Sequence, residues 1–126
     1  MNTFKRLILV LLFFSITTNI DAQRSEAKSK TLHHVLLIQW SQGHDEQVKS
    51  EVIQLFEGLP KKVEGLVSFS IKKVEKSSGD FHNALVFKFS SQEGLATYDK
   101  HPDHEKVKKL APVIISNFAE YDYWEL

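Results

Sequence analysis

Two stretches of this chain, TLHHVLLIQWS at 31–41 and FHNALVFKFSS at 81–91, carry apolar side chains on both sides of an extended backbone. Side chains alternate across a strand. In the first stretch His34, Leu36, Ile38 and Trp40 therefore oppose His33, Val35, Leu37 and Gln39. In the second, Asn83, Leu85, Phe87 and Phe89 oppose His82, Ala84, Val86 and Lys88. The more apolar side is the one that helices of the same chain would cover. The other still presents Val35, Leu37, Ala84 and Val86, too apolar to leave facing water. A second copy packed sheet against sheet would bury it, so a homodimer is expected.

The remaining segments supply the helices and two further strands. From Asp45, apolar residues at Val48, Val52, Leu55, Phe56, Leu59 and Val63 follow the stripe of one helix face, and Pro60 should shorten or kink its last turn. Val67, Phe69 and Ile71 alternate with Ser68, Ser70 and Lys72 as a strand within 65–75, and KSSGD is a turn. Ser91 can cap a helix through SQEGLATYDKH, and Pro102 breaks it and suits the first position of another running through EKVKKLAPVIIS. NFAEYDYWEL alternates aromatics with acids and closes the chain as a strand. The order β-α-β-β-α-β predicts an α+β, ferredoxin-like domain with helices on one face of an antiparallel sheet.

The N-terminus has a different character. Lys5 and Arg6 precede an unbroken apolar run from Leu7 to Phe14, and Ala22 is a plausible cleavage position. The run fits a secretory signal over residues 1–22 and falls well short of the ~20 apolar residues of a membrane span. A secreted or periplasmic protein with no stable membrane insertion after cleavage is the expectation. Residues 23–31 read as a polar, flexible lead-in, and 32–126 as the domain. Loss of the signal takes Lys5, Arg6 and Asp21 from 16 basic and 16 acidic residues, leaving 14 against 15. That balance gives no electrostatic case for nucleic acid. The chain has no cysteine, which excludes disulfides, zinc–thiolate sites and cysteine nucleophiles.

The chemistry concentrates in YDKHPDHEKV, Tyr98 to Val107. Pro102 fixes a helix start, with Asp103 and Glu105 at the positive end of its dipole and His101 capping or packing. A helix start that faces a cavity also suits a catalytic group. A neutral imidazole at His104 can take a proton at ordinary pH. His34, between apolar neighbours, reads equally as a core residue. His101 and His104, three apart, are the nearest approach to a metal-binding pair, but no third ligand is specified by local spacing. No metal is expected, and no motif selects a cofactor.

HHVLLIQW, VEGLVSFSIKK, NALVFKFSSQEGLATYDKHPDHEKV and EYDYWEL together resemble the stress-responsive A/B barrel (Dabb) family over most of residues 32–126, with HP-x-H the most specific part. The resemblance implies a dimeric α/β barrel with a cavity between sheet and helices in each subunit. Most members lack an assigned activity, while some plant members are polyketide cyclases that promote an intramolecular aldol condensation. In those the second histidine of HP-x-H is the general base and the tyrosine six residues earlier holds the substrate. These positions correspond to His104 and Tyr98, and a cavity histidine on the first strand corresponds to His34. A further cyclase histidine is replaced by Asn83, with His82 one residue out of register, and a helix-one tyrosine by Phe56. The expected pocket residues are thus His34, Asn83 and His101 around a catalytic His104 and Tyr98.

The implied function is an exported homodimer that binds a small apolar molecule, with proton-abstraction chemistry of the cyclase or isomerase kind. A non-enzymatic, stress-related structural dimer is the alternative if Trp40, Phe56 and Phe87 fill the space beside His104. A monooxygenase-like barrel acting on a polycyclic or haem substrate is a third reading, and Trp40, Trp124, Phe118, Tyr121 and Tyr123 are the aromatics that could line a haem or flavin pocket.

Overall fold

The computed structural model describes residues 30–126. The expected signal at 1–22 lies outside them, as does the lead-in up to residue 29. The described chain runs β1 (Thr31–Trp40), α1 (Glu46–Gly58), a 3-10 turn (Leu59–Lys61), β2 (Leu66–Lys73), β3 (Asn83–Phe89), α2 (Gln92–Lys100), α3 (Pro102–Ile114) and β4 (Ile115–Glu125). The strands form one antiparallel sheet in the order β2-β3-β1-β4. This is the expected α+β, ferredoxin-like arrangement.

Local sequence explains each boundary. Asp45 caps α1, its carboxylate accepting from the Gln47 and Val48 amides at 2.8 and 3.3 Å. Pro60 has no amide hydrogen to continue the helix, and the chain tightens there into the 3-10 turn. The stripe Val52, Phe56, Leu59 and Val63 is buried against the sheet. Its partners are Ile38 and Trp40 on β1, Leu85, Phe87 and Phe89 on β3, and Tyr98, Val107 and Ile114 from the later helices.

Gly65 and Gly94 bring the start of α2 onto the loop before β2. A methyl group at Gly94 would lie 3.0 Å from the Gly65 carbonyl carbon, and Gly65 itself has φ +87°. Only glycine accepts both the contact and the conformation without strain. Ser91 caps α2 by accepting from the Gly94 amide at 3.1 Å.

The strand faces separate as the alternation predicts. The helix-covered face carries Leu32, His34, Leu36, Ile38 and Trp40 of β1 opposite Phe89, Phe87, Leu85 and Asn83 of β3. On the opposite face Val35 is buried among its strand neighbours, and Leu37, Ala84 and Val86 are half-buried. Tyr121 and Tyr123 of β4 widen that face and are 50 and 46 % exposed. His33 lies there too, stacked on Tyr123 at 4.6 Å and bonded to Glu125 at 2.9 Å.

Candidate active site

The break between α2 and α3 builds the site. Pro102 disfavours helical geometry in the residue before it, and His101 is extended with φ −64° and ψ 139°. Helix α2 therefore ends at Lys100, and its last carbonyl groups lose their intrahelical donors. One of them, the Asp99 carbonyl, accepts from His104 Nδ1 at 3.3 Å and from Lys108 Nζ at 2.9 Å. His104 and Lys108 are four apart and share a face of α3, so one helix start repairs the end of the previous one.

That contact fixes the chemistry of His104. A carbonyl oxygen only accepts, so Nδ1 carries the hydrogen and Nε2 keeps the lone pair. Burial, the largest influence, holds the imidazole below its ordinary pKa, with the Lys108 ammonium acting in the same direction. The His104 ring stacks on Tyr98 at 4.2 Å and approaches Phe56 at 6.2 Å.

Tyr98 is 1 % exposed, and its hydroxyl is buried without a hydrogen-bond partner among the described residues. Burial first, and then the carboxylates of Asp99, Glu120 and Asp122, push its pKa far above the ordinary phenol value. The group is thus a donor at every physiological pH. On its other side is His34, whose ring meets Tyr98 edge-on at 5.6 Å. His34 Nδ1 donates to the Asp122 carboxylate at 2.6 Å across the β1–β4 pair, in which the two residues are directly opposite. This second imidazole also presents Nε2 as its free nitrogen, oriented by a carboxylate.

His34, Tyr98 and His104 line one cavity of about 530 Å³, between the sheet and helices α2 and α3. Phe56, Leu95, Val107 and Ile115 contribute apolar walls, while Phe118 and Glu120 of the edge strand form the exposed side. Phe56 and Phe87 pack against each other at 5.1 Å and leave this space open, and Trp40 lies elsewhere.

Two residues expected in the pocket are placed outside it. Asn83 sits at the other end of the sheet, beside a shallow depression with Trp40, His44 and His82. Its carboxamide accepts from Trp40 Nε1 at 2.8 Å and donates to the Lys72 carbonyl at 3.2 Å. His82, just before β3, accepts from the Trp40 amide at 3.2 Å. His101 turns back on its own helix, its Nδ1 accepting from the Asp103 amide at 3.1 Å as the N-cap of α3.

Asp122 and Glu120 are the site residues that sequence reasoning overlooked. Their alternation with aromatics in NFAEYDYWEL was visible, but only the β1–β4 register sets Asp122 beside His34.

The aromatics considered for a haem or flavin pocket are divided between surfaces. Tyr121 and Tyr123 take the outer sheet face, Phe118 and Trp124 the helix side of β4, and Trp40 the far end. Among the described residues no three His, Asp or Glu side chains converge as a metal site would require. Nor is any described helix long and apolar enough to cross a membrane.

Residues 32–125 match the model of the Dabb family, the stress responsive A/B barrel domain. The chain belongs to this family. Solved structures share this fold at low identity. A protein from Arabidopsis thaliana superposes with a TM-score of 0.65 at 21 % identity, covering 75 % of this chain and 95 % of its own. A Dabb-family protein from Mesorhizobium loti, described as ferredoxin-like, gives 0.64 at 18 % identity over 77 and 98 %. A hydroxynitrile lyase from Passiflora edulis gives 0.66 at 12 % identity over 78 and 95 %. Other structural neighbours, from Thermobifida fusca and Jannaschia, are described as dimeric ferredoxin-like proteins. No curated protein matches the chain.

Proposed function

We propose that this Dabb protein is an exported homodimer that binds a small, mostly apolar carbonyl compound in the sheet–helix cavity and abstracts a proton from it. The observation that carries the reading is the arrangement around Tyr98. The Tyr98 ring lies between two imidazoles at the wall of an apolar cavity, each imidazole with Nδ1 committed to an acceptor, and its buried hydroxyl has no partner among the described residues. His104 acts as the base through Nε2. It removes a proton from the carbon next to the carbonyl, and the bonding pair moves to oxygen, where the Tyr98 hydroxyl donates to the enolate. The enolate then attacks a second carbonyl of the same molecule, closing a ring, or takes a proton back at another position, completing an isomerisation. In either case His104, which holds the abstracted proton on Nε2, returns it, to the new alkoxide or to carbon, while His34 is held beside Tyr98 by Asp122.

The dimer rests on the apolar outer sheet face and on the dimeric state described for structural neighbours. Export rests on the sequence of residues 1–22, and a lyase among the fold's members is consistent with carbonyl chemistry.

Proton abstraction is measurable without the natural substrate. In heavy water the mature protein should exchange the α-hydrogens of 4-phenylbutan-2-one for deuterium, and His104→Ala should slow that exchange by about 10²–10⁴-fold. Exchange at the uncatalysed rate, or a full rate in His104→Ala, would refute the catalytic reading and leave a structural dimer.

A further inference from the structure

The cavity that the proposed function uses carries an unbalanced charge, and the imbalance points to what enters it. Its walls include one ammonium, Lys108, and three carboxylates, Asp99, Glu120 and Asp122. Lys108 is occupied by Asp99 and Glu105 at 3.2 and 3.1 Å, and Asp122 by His34 at 2.6 Å. Glu120 is the one lining carboxylate without a side-chain partner among the described residues. It stands between Phe118 and Asp122 on the helix-side face of β4, opposite Leu36.

A second and independent group asks for a ligand atom. Tyr98 lines the same cavity, and its hydroxyl has a hydrogen to donate and no acceptor among the described residues. Buried polar groups are normally paired, and a ligand carbonyl would complete this one. An enolate formed there would meet the field of Asp99, Glu120 and Asp122, the same field that disfavours ionisation of Tyr98. Like charge opposes the intermediate. A positive charge on the ligand itself, paired with Glu120, would offset that opposition by cancelling one of the two negative charges that the enolate and Glu120 bring together. The exposed Phe118 ring beside Glu120 offers a face for the same cation.

We propose that the ligand is an apolar molecule bearing both a carbonyl, which accepts from Tyr98, and a protonated nitrogen, which Glu120 recognises. Glu120 is then a specificity-determining residue, and anionic carbonyl compounds are poor ligands. This rests on the cavity being a binding site, as proposed above, and the test separates the two claims.

Three probes of one skeleton suffice: 4-phenylbutan-2-one and its para-aminomethyl and para-carboxy derivatives, which are neutral, cationic and anionic at pH 7. Binding is read by calorimetry on the mature protein and on Glu120→Gln, a substitution that keeps the shape of an exposed edge-strand residue. The cationic ketone should bind about fivefold tighter than the neutral one, as a partly exposed ion pair allows. The anionic ketone should bind weakest, and added salt should compress the series. Glu120→Gln should remove the advantage of the cation and leave the neutral ketone unchanged. Equal affinity for neutral and cationic ketones, or a variant that weakens both alike, would overturn the inference while the cavity's role stands. Absence of binding by all three would overturn both.

Discussion

Tyr98 holds a hydroxyl that folding alone does not need. An unpaired buried hydroxyl costs on the order of 1–3 kcal/mol. The stacking of Tyr98 on His104 and its contacts with Phe87 and Phe89 at 5.0 and 5.5 Å belong to the ring and survive in phenylalanine. Tyr98→Phe should therefore stabilise the protein by about 1 kcal/mol while slowing α-hydrogen exchange at least tenfold. Chemical denaturation and the exchange assay on one preparation measure both, and a variant that loses stability would mean the hydroxyl has a structural partner. The pairing of Tyr98 with His104 was implied by the resemblance to the plant cyclases through the HP-x-H motif. The placement of His101 was not, because a histidine before proline can cap the next helix or face a pocket, and backbone geometry decides. Asn83 was misplaced for a related reason. Alternation gives its face of the sheet correctly, but not its distance along the strand from His104, which Trp40 makes plain by binding its carboxamide.

Helix α2 is the element that delivers Tyr98, and two glycines fix its position. The atoms nearest to a methyl group at Gly94 are the backbone of Gly65, at 3.0 to 3.1 Å, so the strain cannot be relieved by turning a side chain. Gly94→Ala should cost about 1–3 kcal/mol, read as a lowered urea midpoint with an unchanged slope. A neutral result would show that the α2–β2 contact gives way easily. Boundaries followed the sequence wherever a proline or a cap stood, as at Asp45, Pro60, Ser91 and Pro102. The start of β4 did not, since helix α3 passes directly into it at Ile115 and the aromatic alternation becomes regular only later. Glu120 and Asp122 belong to this scale as well. A strand's partner is a long-range property, and the pairing of β1 with β4 rather than β2 turns an ordinary acidic strand into a cavity wall.

At the scale of the molecule, two titrations tie stability to pH. His104 is held below its ordinary pKa of 6.5 in the fold, so the unfolded chain binds its proton more readily. Its contribution is complete above that value and is lost as pH falls through the lowered one. Asp103 is held below its ordinary 3.8, chiefly by the hydrogen bond from Lys62 at 2.6 Å, and its contribution is lost only in stronger acid. Stability should fall in two stages on acidification, and His104→Gln should flatten the first, which sets in as pH drops below 6.5, in thermal melts. The proposed dimer belongs here too. Val86→Lys should place a charge in the apolar outer face and convert the dimer to folded monomer in analytical ultracentrifugation, whereas an unchanged dimer would put the interface elsewhere. The sequence announced an apolar second face, but the tyrosines that extend it became part of the face only through the sheet order.

Imidazole nitrogen NMR of the mature protein, titrated with and without 4-phenylbutan-2-one, decides whether His104 is a neutral base in a ligand cavity. As such a base, His104 should be protonated at Nδ1, titrate below 6.5 and change its nitrogen shifts when the ketone is added. A His104 that titrates at 6.5 or above and ignores the ketone would contradict that role.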